Sequence, residues 1–154
     1  MTQYTKLMLV LVGFAATLCA ADPFVGTWKM NPAKSKYNAG TAPKEQTVTI
    51  AEAGSDLNVK VTGTGADGAK IAYNYTVPAK GGTGKVIGTA PFDAVSSKRA
   101  GANDREITYM NGGKNLYTIH SKVAADGNSL TVAAKGVNAT GQPVDATAIY
   151  DKQK

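Results

Sequence analysis

Short runs in which apolar and polar residues alternate follow one another along most of the chain after Pro23. In one such run, Leu57, Val59 and Val61 are each followed by a polar residue. Successive side chains of a β-strand point to opposite faces, so this period gives each strand one buried face and one solvated face. No stretch of ten residues after Pro23 has the helical period. The pattern therefore predicts an all-β fold.

The segments between these runs have the composition of tight hairpin turns. Asp67-Gly68, Asn111-Gly112 and Asp126-Gly127 each separate two alternating runs. These dipeptides adopt positive φ at little cost, as two-residue hairpin turns require, and such turns join antiparallel neighbours. We therefore predict ten antiparallel strands near residues 24–30, 45–52, 56–64, 69–78, 84–88, 93–99, 104–111, 114–123, 128–136 and 143–151.

An open meander of this length would leave two unpaired edges, which closure removes. The expected fold is thus a single antiparallel up-and-down β-barrel of about 8–10 strands. Asn31-Pro32 combines a helix N-cap residue with a proline at the first helical position, so we also expect one short helical turn after the first strand.

The first 21 residues have a different composition from the rest of the chain. Lys6 precedes an apolar run over residues 7–18, and the small residues Cys19 and Ala21 lie three and one positions before Asp22. These are the three parts of a secretory signal peptide, and the run is shorter than the about 20 residues that span a bilayer. We predict a signal peptide at 1–21 and a secreted or periplasmic barrel domain at 22–154. Cleavage would remove the only cysteine, so the domain would fold without disulfides and without stable membrane insertion.

The chain carries 17 basic and 11 acidic residues, a formal net charge of +6. The basic residues are scattered, and Lys98-Arg99 is the only adjacent pair outside the leader. Nucleic-acid-binding proteins usually concentrate Arg and Lys on one face. We therefore expect no nucleic-acid partner.

Two stretches resemble a known group of barrels. FVGTWK, residues 24–29, contains the only tryptophan and closely resembles the first strand of the intracellular fatty-acid-binding proteins. Gly26-x-Trp28 is also the first-strand signature of the lipocalins, and both groups are calycins. AIYDK, residues 148–152, is similar to the last strand of the fatty-acid-binding proteins. The resemblance implies a calycin barrel in which Gly26 lets the chain bend and Trp28 plugs one end of the core.

NPAKSKY and SSKRA are in addition similar to segments of a widespread group of small exported bacterial proteins with a GTWK-type start. No activity is established for that group. The similarity therefore implies fold and export, but no function.

Three features differ from the calycin pattern. Residues 31–44 are too few for the two lid helices of the fatty-acid-binding proteins. Ala148 stands where those proteins place an arginine that pairs with the ligand carboxylate. No arginine follows Arg105, although lipocalins commonly stack a late arginine on the tryptophan.

The remaining residues point to binding rather than catalysis. His120 is the only histidine, so no cluster with structural-metal spacing exists, and no serine has a nucleophile-elbow context. We expect no catalytic residue, cofactor or metal. The expected function is binding of a small hydrophobic or amphipathic ligand inside the barrel. The alternative is a structural or interaction protein with a filled barrel. Candidate ligand-binding residues are Tyr73, Tyr75, Arg99, Arg105, Tyr109, Tyr117 and Tyr150.

Overall fold

Eleven antiparallel β-strands form the part of the chain that the computed structural model describes, residues 20–38 and 40–154. The predicted signal peptide, residues 1–21, lies outside the described residues except for Ala20 and Ala21. No helix within the described ranges is long and apolar enough to cross a membrane. The strands are β1 (Gly26–Met30), β2 (Glu45–Ala53), β3 (Asp56–Thr64), β4 (Lys70–Pro78), β5 (Gly81–Thr83), β6 (Lys85–Ile87), β7 (Ala94–Arg99), β8 (Asp104–Asn111), β9 (Lys114–Val123), β10 (Ser129–Val137) and β11 (Pro143–Lys152).

The strands form one sheet in the order β5-β7-β8-β9-β10-β11-β1-β2-β3-β4-β6. The two terminal strands of this order, β5 and β6, are consecutive in the chain. Because β5 pairs with β7 and β6 pairs with β4, residues 81–87 bring the two ends of the sheet together. The predicted all-β, nearly closed antiparallel barrel is therefore confirmed.

The strand predicted at 84–88 corresponds to β6, and a further strand that was not predicted, β5, precedes it with Gly84 between the two. The Gly84 N–H donates to the carbonyl of Val95 at 2.8 Å, while the residues after it pair with β4. A Cβ added at Gly84 would clash with the carbonyl oxygen of Thr76 and would lie 2.9 Å from methyl groups of Val77 and Val95. Only a glycine fits where the strand changes partners.

The helical turn expected at Asn31 is an isolated turn, and the described residues contain no helix. The Lys34 N–H donates to the Asn31 carbonyl at 3.2 Å, but Lys36 then exchanges two backbone hydrogen bonds of 2.8 Å with Thr147 of β11. This bridge requires extended backbone, so the helical conformation cannot continue. The segment that holds two lid helices in the fatty-acid-binding proteins here runs beside β11.

One end of the barrel is packed around Trp28. The indole is fully buried, and its Nε1–H donates to the Phe24 carbonyl at 2.9 Å. The Lys152 ammonium lies 5.0 Å from the centre of the Trp28 ring, a cation–π contact. Gly26 has φ of +145°, and a Cβ there would lie 2.7 Å from the Lys152 side chain. Gly26 therefore leaves room for Lys152 to reach the indole.

Candidate functional site

The barrel interior contains a cavity of about 440 Å³. Its wall is made by inward-facing side chains of most strands, and much of it is aliphatic. Examples are Val48, Val59, Val61, Ile107, Ile119 and Val132. These residues lie at the alternating apolar positions of the sequence. The alternating apolar side chains therefore surround a cavity and do not only fill a packed core.

Loop residues line one end of the cavity. Tyr37, Thr41 and Pro43 contribute from the segment between β1 and β2. Gln142 contributes from the turn between β10 and β11, and Pro143 from the start of β11. Thr41, Gln142 and Pro143 are exposed to solvent. This end is the entrance, and it lies opposite the Trp28 end.

Four tyrosines of the cavity wall form an aromatic cluster with Phe92, which packs against them. The hydroxyls of Tyr75 and Tyr109 are 2.8 Å apart and share a hydrogen bond. The Tyr109 and Tyr117 rings have centroids 4.7 Å apart, and Phe92 lies edge-on to Tyr73 at 5.4 Å. The cluster fixes the ring planes, so its hydroxyls occupy defined positions in the cavity.

Three hydroxyls of the cavity lining have no hydrogen-bond partner among the described residues: those of Tyr73, Tyr117 and Ser121. None of these three oxygens is among the fully enclosed unpaired polar atoms, which in this part of the chain are Asn74 Oδ1 and the Arg105 Nε. The three hydroxyls therefore remain accessible from the cavity. They are the groups most readily available to a bound molecule.

Tyr150 is already engaged near the entrance. Its hydroxyl donates to the Gln46 side-chain oxygen, and both residues line the cavity. The neighbouring Tyr37 hydroxyl donates to the sulfur of Met30 at 3.1 Å. These contacts hold the two tyrosines in place and leave the Gln46 amide nitrogen free of a partner within the described chain.

Burial keeps the interior tyrosines neutral. It raises the pKa of Tyr117 from the ordinary value of 10.0 to about 12, and it also raises the pKa values of Tyr73, Tyr75, Tyr109 and Tyr150. The hydroxyls therefore act near pH 7 as uncharged donors and acceptors of hydrogen bonds.

The two arginines of the chain meet at the Trp28 end. Arg99 of β7 and Arg105 of β8 are paired directly across the hairpin. Asp22 lies between them, with its Oδ2 2.7 Å from Arg99 and 3.4 Å from Arg105. The Arg105 side chain is only 2% exposed and the Asp22 side chain 9%. A carboxylate here compensates two like charges, one of them buried, that would otherwise face each other.

The Arg105 guanidinium is engaged by the protein at both terminal nitrogens. One donates to the carbonyl of Pro78 and to Ser97 Oγ, and the other donates to the carbonyl of Ala79 and to Asp22. The ring of Phe24 lies 5.3 Å from the guanidinium carbon. Burial lowers the pKa of Arg105, while the Asp22 charge raises it. The group remains cationic and sits under Phe24 as part of the cavity floor.

The structure groups most of the candidate residues named from the sequence. Tyr73, Tyr75, Tyr109, Tyr117, Tyr150 and Arg105 line the cavity, whereas Arg99 does not and instead pairs with Asp22.

Sequence reasoning missed Asp22, Ser121 and Lys152. A signal for Asp22 was available, since the only two arginines fall on consecutive strands and need a counter-ion. Lys152 provides the cation over the indole that an arginine provides in lipocalins. Ser121 carried no signal beyond its position on an alternating strand.

His120 lies away from this site. Its side chain is 66% exposed, and its Nδ1 is 3.5 Å from Glu106 on the neighbouring strand. Within residues 20–38 and 40–154, no group of three or more His, Cys, Asp or Glu side chains is placed to hold a metal ion.

Comparison with known proteins supports the fold. No protein-family model matches the chain, and no curated protein sequence matches it. Among solved structures, the chain is similar to the zebrafish ileal bile acid-binding protein in complex with cholic acid. The TM-score is 0.51 at 13% identity, over 85% of this chain and 99% of that chain. The calycin-type barrel expected from the FVGTWK stretch is thereby confirmed at the level of fold.

Proposed function

We propose that this protein binds a small, partly apolar molecule inside its barrel. The observation that carries the proposal is the cavity of about 440 Å³, which has aliphatic walls and a few convergent hydroxyls. Ligand sites in proteins have this character and span roughly 300–1,000 Å³. A filled barrel, the alternative function, would not leave this volume. The similar zebrafish barrel was solved with cholic acid, which supports the same use of this fold.

The residues of the site favour ligand binding rather than catalysis. Among the described residues, the cavity lining contains no histidine or cysteine, and its buried tyrosine hydroxyls are neutral. Nucleophilic catalysis needs a nucleophile within hydrogen-bond reach of a base. We assign the protein no reaction.

Fluorescence titration with a neutral hydrophobic dye tests the proposal. Ala148 lies on the cavity wall, and Ala148→Phe would fill part of the volume. Ala51 is exposed on β2, so Ala51→Phe is the matched control on the outer surface. We expect saturable binding by the wild type and the control, and a loss of at least tenfold in affinity in Ala148→Phe. Equal affinity in all three folded proteins, or no saturable binding by the wild type, would refute an interior site.

We further propose that the protein is exported after removal of residues 1–21. Ala20 and Ala21 are exposed, and Asp22 is the first of the described residues with a side chain held by the barrel. A cut between Ala21 and Asp22 would leave the side-chain contacts of Asp22 in place. Expression of the full-length chain in a bacterial host tests this proposal: we expect a chain that lacks residues 1–21 in the periplasm or medium, and an uncut chain in the cytoplasm would contradict it.

A further inference from the structure

We infer that the cavity selects uncharged ligands, whose polar group is a hydroxyl or carbonyl oxygen, and that Asp22 enforces this choice. The inference rests on the proposed binding function and adds the chemical class of the ligand. A buried arginine beside a cavity usually indicates a binding site for a carboxylate. The inferred preference for an uncharged ligand differs from that expectation.

The Arg105 guanidinium, which lines the cavity, has no hydrogen-bond donor available to a ligand. Each terminal nitrogen of Arg105 has two acceptors in the protein, at distances between 2.9 and 3.4 Å. The remaining donor, Nε–H, is enclosed and unreachable from the cavity. A ligand carboxylate would therefore have to displace Asp22 or backbone carbonyls before it could pair with Arg105.

The charge at this end is also compensated on the cavity side. Asp22 contacts both arginines, and Arg99 is 29% exposed, so solvent screens its excess charge. Arg99 additionally donates to the carbonyls of Gly101 and Ala102. The excess positive charge of these three groups therefore lies at Arg99, which is not among the cavity-lining residues.

The accessible polar groups of the cavity suit a neutral oxygen. The hydroxyls of Tyr73, Tyr117 and Ser121 both donate and accept hydrogen bonds. An alcohol or ketone would exchange hydrogen bonds to water for hydrogen bonds to these groups. A carboxylate would lose the hydration of a full charge without gaining a free cation, which is far more costly. Asp145, the other charged residue of the lining, is exposed at the entrance and repels anions.

Competition between two ligands of equal length tests the inference. A neutral dye is first bound in the cavity at pH 7.5. The complex is then titrated either with a straight-chain primary alcohol or with the carboxylic acid of the same number of carbons, and displacement of the dye gives the affinity of each competitor. We expect the alcohol to bind at least tenfold more tightly than the carboxylate. Equal or tighter binding of the carboxylate would overturn the inference, as would a bound dye that the alcohol does not displace. Absence of dye binding would instead contradict the proposed function itself.

Two sets of variants locate the cause of this preference. Asp22→Asn exposes the arginine charge and should raise carboxylate affinity at least fivefold relative to alcohol affinity. Asp126→Asn, in the exposed turn after β9, changes the net charge equally and should leave the ratio unchanged. If Asp22→Asn does not fold, Ser121→Ala and Tyr117→Phe supply the test. Each should weaken alcohol binding about threefold or more relative to dye binding, and an unchanged ratio of the two affinities in both variants would overturn the assignment of these hydroxyls.

Discussion

Raising the pH above 10 should unfold the barrel through its interior tyrosines. Burial raises the pKa of the hydroxyls of Tyr73, Tyr75, Tyr109, Tyr117 and Tyr150 above the ordinary value of 10.0, to about 12 for Tyr117. In the unfolded chain the same groups ionise near pH 10. A group whose folded pKa exceeds its unfolded pKa stabilises the fold fully below the unfolded pKa, and it loses that contribution as the pH rises toward the folded pKa. The loss therefore begins near pH 10 and continues to about pH 12 or beyond.

The number of tyrosines sets the size of this effect. Each group that is protonated in the folded state and ionised in the unfolded state lowers the free energy of unfolding by about 1.4 kcal/mol per pH unit. Five such groups give about 7 kcal/mol per pH unit. A domain of this size is stable by about 5–15 kcal/mol near neutral pH. The barrel should therefore unfold within one to two pH units above 10, in one steep transition between about pH 11 and pH 12.

A pH titration followed by two signals provides the assay. Tyrosinate absorbance reports ionisation, and far-ultraviolet circular dichroism reports the β-sheet. We expect both signals to change together, because the interior tyrosines ionise only when the barrel opens. Tyr117→Phe removes one titrating group without orphaning a hydrogen-bond partner, so its transition should be about one fifth less steep. Ionisation of all the interior tyrosines near pH 10 with unchanged circular dichroism would refute this account.

Three further outcomes follow from local contacts. Trp28→Phe should lower the free energy of unfolding in urea by about 2–4 kcal/mol, since it shrinks the plug and leaves the carbonyl of Phe24 without its donor. Gly84→Ala should lower the free energy of unfolding by about 3 kcal/mol, because the added methyl group clashes where the barrel closes. In the control Gly101→Ala the methyl group would make only ordinary contacts, so the free energy of unfolding should change by less than about 0.5 kcal/mol. Equal melting temperatures for the two variants would contradict the closure described at residue 84. The exported protein should have the intact mass of a chain that begins at Asp22, and a chain that begins later would contradict the role of this residue as counter-ion.

The strands and turns were largely predictable from the sequence because both signals are local. Every predicted strand corresponds to an observed strand within two residues at each end, and the strand predicted at 84–88 corresponds to β6. Only β5 was not predicted. It ends just before Gly84, where the chain changes its pairing partner from β7 to β4. Partner choice depends on atoms far away in sequence, here those of Thr76 and Val95, and no local pattern records them.

The candidate site was predictable only in part. The tyrosines could be placed on inward faces because alternation assigns each residue of a strand to a side. Arg99 and Arg105 could be identified from the sequence as candidate site residues, but the sequence did not indicate that only Arg105 lines the cavity. Arg105 lines the cavity, whereas Arg99 lies at the end of the barrel and is partly exposed, and Asp22, 77 residues before Arg99, pairs with both.

The sequence by itself determined that this chain forms an antiparallel barrel, since the period of two and the glycine turns act over a few residues. It also determined the calycin-like start, because Gly26-x-Trp28 is a local motif. Only the tertiary structure decided that the interior is hollow and that the charge of Arg105 is already satisfied. Cavity volume and charge compensation depend on how side chains from distant strands fill one shared space, and that is a property of the closed barrel rather than of any one segment.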